Sequence, residues 1–176
     1  LLEGDTILGS GMIAVVPAHC YVPAGIAAGA RTWGTTVQLY GLRSARNAGI
    51  GDFSDLRVCV EAWGGRGAAI VGTNPLHALS LRDPGTGSPY SPSSRIFFNP
   101  MYIDVEASAD FIELAAADRQ LHARWRRQTQ PLRDAPAINY AGVAAALREM
   151  FGKMYENFRT RHLAAATPRA RAFSQF

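Results

Sequence analysis

The sequence predicts an α/β fold built on a strand, a helix and a second strand. Trp33 opens the β-branched run "WGTTVQLY", which is typical of a strand. "SDLRVCVEAWGGRG" has the apolar spacing of a helix that Ser54 or Asp52 caps and that Gly64 and Gly65 end. "AAIVG" is apolar without alternation, which predicts a strand buried on both faces. Strand, helix and strand together predict a βαβ unit with a parallel pair.

The segments around this unit predict a chain of several parts. In residues 1–19, "TILG" and "MIAVVP" predict two short strands at the end of a β-rich N-terminal domain, and residues 20–32 form a Pro/Gly/Ala linker. Residues 33–80 hold the βαβ unit, and residues 81–176 hold a long loop and two helices. Because the chain opens with Leu1 in strand-like sequence, we expect it to be a piece of a longer protein.

Residues 81–176 combine an irregular loop with helical patterns. Within the loop, "MYIDVE" predicts a short strand. One helix is predicted from about residue 109 to residue 128, and Arg133 to Pro136 separate it from a second helix that begins near Asn139. The apolar stripe of the second helix predicts a core contact: it consists of Tyr140, Val143, Ala144, Leu147, Phe151, Met154, Tyr155 and Phe158.

Composition excludes several classes of function. The 176 residues, 48% of them hydrophobic, suit one domain with a core. The net charge of +4 comes from scattered arginines, and the cluster Arg124, Arg126 and Arg127 is interpreted as a solvated helix face rather than a phosphate site. Nucleic-acid binding would rest on the basic pI alone, so none is predicted. No apolar run is long enough to span a membrane.

The cysteines and histidines predict neither a disulfide nor a metal site. Cys20 and Cys59 lack CxxC spacing and are interpreted as free, partly buried thiols of a cytoplasmic protein. His19 lies beside Cys20, but no second ligand pair has the spacing of a zinc site. We therefore expect no metal and no cofactor.

The candidate binding residues lie in the loop after the second strand. Asn74 and His77 in "NPLHAL" follow that strand directly, at the end where parallel α/β folds carry their sites. His77 is either a general base or a structural histidine, and Asn74 either binds a ligand or ends the strand. "SPYSPSSR" holds Tyr90 between two prolines that stiffen the loop, with Ser88 beside it.

The sequence lacks a convincing catalytic set. "GIGDF" follows a strand and precedes a helix, but it lacks the spacing of a phosphate loop and is interpreted as a tight turn whose Asp52 starts the helix. The fourteen acidic residues are dispersed, and no GxSxG or HExxH motif occurs. No catalytic residue is therefore predicted in this chain.

Three blocks carry a family resemblance: "WGTTVQLYGLRSARNAGIGDFSDL", "NPLHALSLRDPGTGSPYSPSSRIFFNPMYIDVE" and "INYAGVAAALREMFGKMYENF". In this order they resemble bacterial 4-α-glucanotransferases, also called amylomaltases or disproportionating enzymes. The resemblance covers about residues 16–176, and its most specific part is "SPYSPSSR" followed by "NPMYIDV". The chain departs from the family where Ala48 replaces an expected tryptophan, which predicts a hole or a more open loop at that point.

The resemblance implies a fold and a function. It implies the start of an α-amylase-type (β/α)8 barrel, with residues 33–80 as its first βαβ unit and residues 81–176 as a mainly helical insertion after strand 2. It implies a cytoplasmic enzyme of maltodextrin or glycogen metabolism that transfers α-1,4-glucan segments by a retaining mechanism with two carboxylates. The family's nucleophile lies in an Arg-x-Asp motif, which is absent from these residues. This chain is therefore expected to be inactive alone.

The resemblance also assigns the loop residues to the substrate. Tyr90 is expected to lie against a sugar ring at the cleavage point, and Ser88, His77 and Asn74 to contribute to the same groove. The alternative for Tyr90 is that it only packs the insertion against the barrel. The alternative for the whole chain is a non-catalytic glucan-binding module. Uncovered barrel edges predict that the isolated chain self-associates.

Overall fold

The computed structural model describes residues 2–3, 6–7, 11–85 and 88–176, and the chain divides into two compact units, Leu1–Thr32 and Trp33–Phe176. In the first unit, strand β1 (Leu2–Glu3) pairs antiparallel with β2 (Thr6–Ile7), and Ala24–Ala27 form the single turn α1. The predicted strand "TILG" is thus found at its first two residues, and residues 8 and 9 lie outside the described residues.

The predicted strand "MIAVVP" is wrong. Residues 11–17 have no regular secondary structure, and Met12 and Val15 are 97% and 94% exposed. A strand is stabilised by backbone hydrogen bonds to a neighbouring strand. Within the described residues, no strand pairs with this segment, so its β-branched composition alone does not make it a strand.

The second unit begins with β3 (Gly34–Val37), continues through helix α2 (Phe53–Gly64) and returns in β4 (Ile70–Thr73). The strands pair in parallel, with Gly34 opposite Ile70 and Val37 opposite Thr73. The expectation that this second strand is buried on both faces is wrong for the chain, because Ile70 is 57% exposed. Only two strands form this sheet in the described residues, so the outer edge of each strand lacks a strand partner there.

A capping box fixes the start of α2. The Asp52 carboxylate accepts a hydrogen bond from the Asp55 backbone N–H at 2.9 Å, and the Asp55 carboxylate accepts one from the Asp52 N–H at 3.0 Å. Asp52 is therefore the cap, and Ser54 lies inside the helix. Burial, together with the nearby charges of Asp55 and Asp104, raises the pKa of the Asp52 carboxyl to about 6, although hydrogen bonds from the backbone N–H groups of Asp55 and Ser54 act in the opposite direction.

The loop that leads into α2 is held by close backbone contacts. Gly49 has a positive φ of 91°, a conformation that glycine adopts at little cost. A Cβ at Gly51 would lie 2.0 Å from the carbonyl oxygen of Leu39. Gly51 thus lets the chain pass directly against the 3-10 turn Leu39–Gly41 that follows β3, and Gly49 lets it pass against Leu132, whose carbonyl oxygen would lie 2.6 Å from a Cβ at that position.

The loop after β4 contains a hairpin. Strand β5 (His77–Ala78) pairs antiparallel with β6 (Ser94–Phe98). The predicted strand "MYIDVE" is wrong, because Pro100–Tyr102 form a 3-10 turn instead. The Asn99 side chain caps this turn by accepting the Met101 N–H at 3.0 Å, and Pro100 has no N–H to offer a strand partner.

Four helices follow: α3 (Ala109–Ala117), α4 (Leu121–Asp134), α5 (Tyr140–Phe158) and α6 (Pro168–Gln175). The single helix expected over residues 109–128 is two helices, because Asp118 leaves the helical conformation and its carboxylate accepts the Gln120 N–H at 3.0 Å. The start of α5 is confirmed, since Asn139 is its cap. A one-turn π-helix, Arg159–Leu163, extends α5.

The core of the second unit joins the loops around β3 to the helices. Trp125 and Phe111 are almost fully buried, at 2% and 0% exposure. Most of the predicted stripe on α5 lies in this core, whereas Tyr155 is 53% exposed. The hole expected beside Ala48 is absent: the cavity that Ala48 lines with Trp125 holds only about 10 Å³, no more than one water needs.

Candidate functional site

An open cavity of about 530 Å³ lies at the carboxyl ends of the two parallel strands. The ends of β3 and β4 provide its base, and the loop between β5 and β6 provides its aromatic side chain. Its lining residues are Thr36, Val37, Gln38, Thr73, Asn74 and Tyr90. The fold therefore brings Asn74 and Tyr90, two of the residues that the sequence analysis selected, to one surface.

The Tyr90 loop is anchored at its base and its turn. The Ala78 carbonyl oxygen accepts hydrogen bonds from both the N–H and the hydroxyl of Ser93, each at 2.9 Å, and so closes the hairpin. Pro89 is buried beside Tyr90. Tyr90 itself is 70% exposed. The loop thus holds its backbone against the protein while it leaves the phenol ring available to a ligand.

Ser88 serves the turn around Tyr90. Its hydroxyl oxygen accepts a long hydrogen bond of 3.4 Å from the Tyr90 N–H, and its carbonyl oxygen accepts one of 3.2 Å from the Ser91 N–H. The side chain is half-buried. These bonds hold Tyr90 at the tip of a tight turn, a role that the sequence analysis did not assign to Ser88.

Asn74 is buried, and its side chain connects three segments. Its Oδ1 accepts the Leu39 N–H at 2.8 Å, which ties the end of β3 to the end of β4. Its Nδ2 donates to the Pro75 carbonyl at 2.8 Å and to the Tyr102 hydroxyl at 3.3 Å. Both amide hydrogens are therefore used within the chain, and Asn74 builds the base of the cavity.

Tyr102 is the buried partner beneath this base. Burial raises the pKa of its hydroxyl, while hydrogen bonds from Asn74 and Asn99 act in the opposite direction. The phenol thus stays neutral and able to donate a hydrogen bond over the ordinary pH range. Its ring also meets Phe53 edge to face, with centroids 6.0 Å apart, and so joins the cavity base to α2.

His77 lies apart from the cavity. It is half-buried in β5 opposite Phe98, and it does not line the cavity that holds Tyr90. Within the described residues, no carboxylate hydrogen-bonds to its ring. The structure thus shows no acid that would orient His77 as a general base.

Three polar lining residues escaped the sequence analysis: Thr36, Gln38 and Thr73. A signal for them was present, because the polar residues that end two parallel strands meet at one edge of the sheet. The residues selected by that rule, Asn74 and His77, both follow the second strand. The same rule applied to "VQLY" selects Gln38.

The cavity surface is polar and uncharged. None of the described residues that line it is acidic, basic or a histidine. It offers amide, hydroxyl and backbone groups together with one exposed aromatic ring, which suits a neutral ligand rich in hydroxyls. It provides no group with which to transfer a proton or attack a carbon atom near neutral pH.

The rest of the described structure adds little to this chemistry. Residues 11–85 and 88–176 contain no group of three side chains placed to hold a metal ion. No helix in the described part of the chain is long and apolar enough to cross a membrane. In the arginine cluster, Arg124 pairs with Asp118, and Arg126 makes a two-bond ion pair with Glu106 at 2.8 and 2.9 Å.

Comparison with known proteins points to one family. Residues 37–176 match the model of a glycoside hydrolase family described as 4-alpha-glucanotransferase. A 4-alpha-glucanotransferase of Haemophilus influenzae is 31% identical over 83% of this chain and 21% of its own length. One of Mycobacterium bovis is 39% identical over 68% of this chain and 17% of its own length.

A solved structure gives the same result. The crystal structure of amylomaltase from Corynebacterium glutamicum superposes with a TM-score of 0.59 and 30% sequence identity, over 73% of this chain and 18% of that protein. The chain therefore spans about a fifth of the length of the relatives it matches.

Proposed function

Because the chain belongs to the 4-alpha-glucanotransferase family, we propose that it is the amino-terminal part of an enzyme that moves α-1,4-glucan segments between maltodextrins. In this proposal β3, α2 and β4 are the first βαβ unit of a (β/α)8 barrel. Residues 81–176 are an insertion after its second strand. The parallel pairing of β3 with β4 supports the assignment, as does the small share of each relative that the chain covers.

The observation that carries the proposal is the position of Tyr90. Active sites of (β/α)8 barrels lie at the carboxyl ends of the strands, and Tyr90 lies there beside the ends of β3 and β4. A pyranose ring has a face of C–H groups, and a flat aromatic ring covers that face without competing for the hydroxyl hydrogen bonds. We infer that Tyr90 is the platform for the sugar ring at the cleavage point.

The chain acts in this proposal by positioning the substrate. A retaining transferase needs one carboxylate that attacks the anomeric carbon and one carboxylic acid that protonates the leaving oxygen. Since no cavity residue is acidic, the rest of the protein supplies both groups. The chain holds the sugar in the geometry that those groups require, which lowers the entropic part of the barrier. It needs no cofactor.

Disproportionation of maltotriose tests the proposal. The full-length protein that contains this chain is expected to release glucose from maltotriose and to form longer maltodextrins, whereas residues 1–176 alone are expected to release none. Binding of maltodextrins by the full-length protein without any transfer would favour a glucan-binding module instead. Glucose release by the purified 176-residue chain would contradict the assignment of the carboxylates to the rest of the protein.

A further inference from the structure

Gln38, the residue that directly follows β3, carries a polar side chain at the cavity. Side chains alternate along a strand, so Thr36 and Gln38 project from the same face. Both are exposed, and both line the cavity with Tyr90. On the neighbouring strand, Gly72 lies opposite Thr36, and a Cβ there would lie 2.9 Å from the Thr36 methyl group. The absence of a side chain at Gly72 thus keeps this face open.

The backbone beside Gln38 is fixed, while its amide is free. The Gln38 carbonyl accepts the Gly41 N–H at 2.9 Å, and the next residue, Leu39, donates its N–H to Asn74 at 2.8 Å. Within the described residues, the side-chain amide of Gln38 has no hydrogen-bond partner. Asn74 differs from it, because both amide hydrogens of Asn74 are used internally.

A free amide on a rigid strand end suits a sugar hydroxyl. The side chain offers two N–H donors and one carbonyl acceptor without a charge, so it can donate to one hydroxyl and accept from its neighbour. Placement between β3 and the 3-10 turn, where the backbone is held by hydrogen bonds, limits the positions that the amide can reach. The aromatic ring of Tyr90, by comparison, covers one face of the sugar ring and does not distinguish one hydroxyl from another.

From this placement we propose that Gln38 is a specificity-determining residue that hydrogen-bonds hydroxyl groups of the α-1,4-glucan bound at Tyr90. This inference rests on the proposed function. It assigns the discrimination between hydroxyl patterns to the residue that follows β3, and it assigns the stacking of the sugar to the β5–β6 loop. Asn74 supports both by holding the two strand ends together.

The test pairs a change in the protein with a change in the substrate. In the full-length protein, Gln38→Met keeps the length of the side chain and removes the hydrogen bonds, and we expect kcat/KM for maltotriose to fall about 3- to 10-fold. The melting temperature should be unchanged because the side chain is exposed. Gln38→Glu keeps only hydrogen-bond acceptors, and its kcat/KM should lie between those of the wild type and Gln38→Met. Gln175→Met, at an exposed glutamine of α6, serves as the matched control.

A series of maltotriosides that each lack one hydroxyl identifies the partner. Removal of the hydroxyl that Gln38 binds should lower kcat/KM of the wild-type protein but not that of Gln38→Met. The effects of the substitution and of the missing hydroxyl should therefore not be additive. If every missing hydroxyl costs the two proteins equally, the inference is wrong and the proposed function stands. If the wild-type full-length protein transfers no glucan at all, the proposed function fails, and this inference fails with it.

Discussion

Replacement of Tyr90 by alanine separates a role in substrate binding from a role in packing. The ring is 70% exposed, so most of its surface is available to a ligand and little of it supports the fold. A fully buried tyrosine covers roughly 200 Å², and one face of the ring is about a third of that area. At about 25 cal/mol per Å², the contact with one sugar face is worth about 1.5 kcal/mol.

This magnitude predicts the kinetic effect. A loss of about 1.5 kcal/mol lowers kcat/KM for maltotriose roughly tenfold in the full-length Tyr90→Ala protein. The loss approaches about 3 kcal/mol where the sugar also loses its orientation. Tyr90→Phe keeps the ring, and the Tyr90 hydroxyl has no partner within the described residues, so this matched variant should retain most of the activity.

Stability and turnover together decide the outcome. Initial rates of glucose release and thermal melts should be measured on the same preparations. We expect Tyr90→Ala to melt within a few degrees of the wild type, since exposed substitutions change the free energy of unfolding by roughly 0.5 kcal/mol. A marked drop in melting temperature with unchanged turnover per folded molecule would refute the reasoning and show that Tyr90 packs the loop.

Three further predictions concern the fold. The raised pKa of Asp52, about 6, means that folding favours its protonated form, so its stabilising contribution is complete below about pH 4 and is lost as the pH rises through 6. Asp52→Asn keeps the cap, and urea unfolding should show its free energy of unfolding to be about 1–3 kcal/mol above that of the wild type at pH 7.5 and equal to it at pH 3.5. The control Glu61→Gln, on the same helix, should change the free energy of unfolding little at either pH. A difference between Asp52→Asn and the wild type that does not vary with pH would contradict this prediction. Gly51→Ala forces a Cβ to within 2.0 Å of the Leu39 carbonyl oxygen and should lower the free energy of unfolding by more than about 2 kcal/mol in the same assay. In the control Gly152→Ala, in α5, the added Cβ meets no atom within 4 Å, so this variant should be as stable as the wild type or more stable. Equal effects of the two substitutions would argue against the close contact at Gly51. Light scattering of the isolated 176-residue chain should show concentration-dependent association through its uncovered strands, and a monodisperse monomer with a cooperative melt would count against this.

The sequence alone predicted those elements whose cause is local. Asp52 follows a glycine-rich turn and stands three residues before Asp55, and this spacing is sufficient to begin α2. Asn139 begins α5 for the same reason. The resemblance in "SPYSPSSR" selected Tyr90, because prolines and a motif are features that can be read from one segment. The family was also recognisable at this level, and the comparisons confirmed it.

The sequence failed where a strand depends on its partner. "MIAVVP" has strand composition, but no strand among the described residues pairs with it. "SRIFF", in contrast, is a strand because its first and last residues pair with Ala78 and His77. The apolar run "AAIVG", which contains most of β4, likewise predicts two covered faces, but burial depends on the neighbouring segments and not on the run itself. Strand pairing is a long-range contact that composition does not encode locally.

Only the tertiary structure assigned roles to the residues of the cavity. Asn74 and His77 looked alike as candidates in one motif, yet Asn74 lies in the cavity base with its amide hydrogens already used, and His77 lies outside it. Gln38 and Tyr90 are far apart along the chain, and they line one cavity because the ends of β3 and β4 and the β5–β6 loop meet there. The sequence determined which chemical groups this protein carries, and the packing of distant segments decided which of them remain free to bind a ligand. The physical reason is that a donor or acceptor already hydrogen-bonded within the fold cannot also bind the substrate.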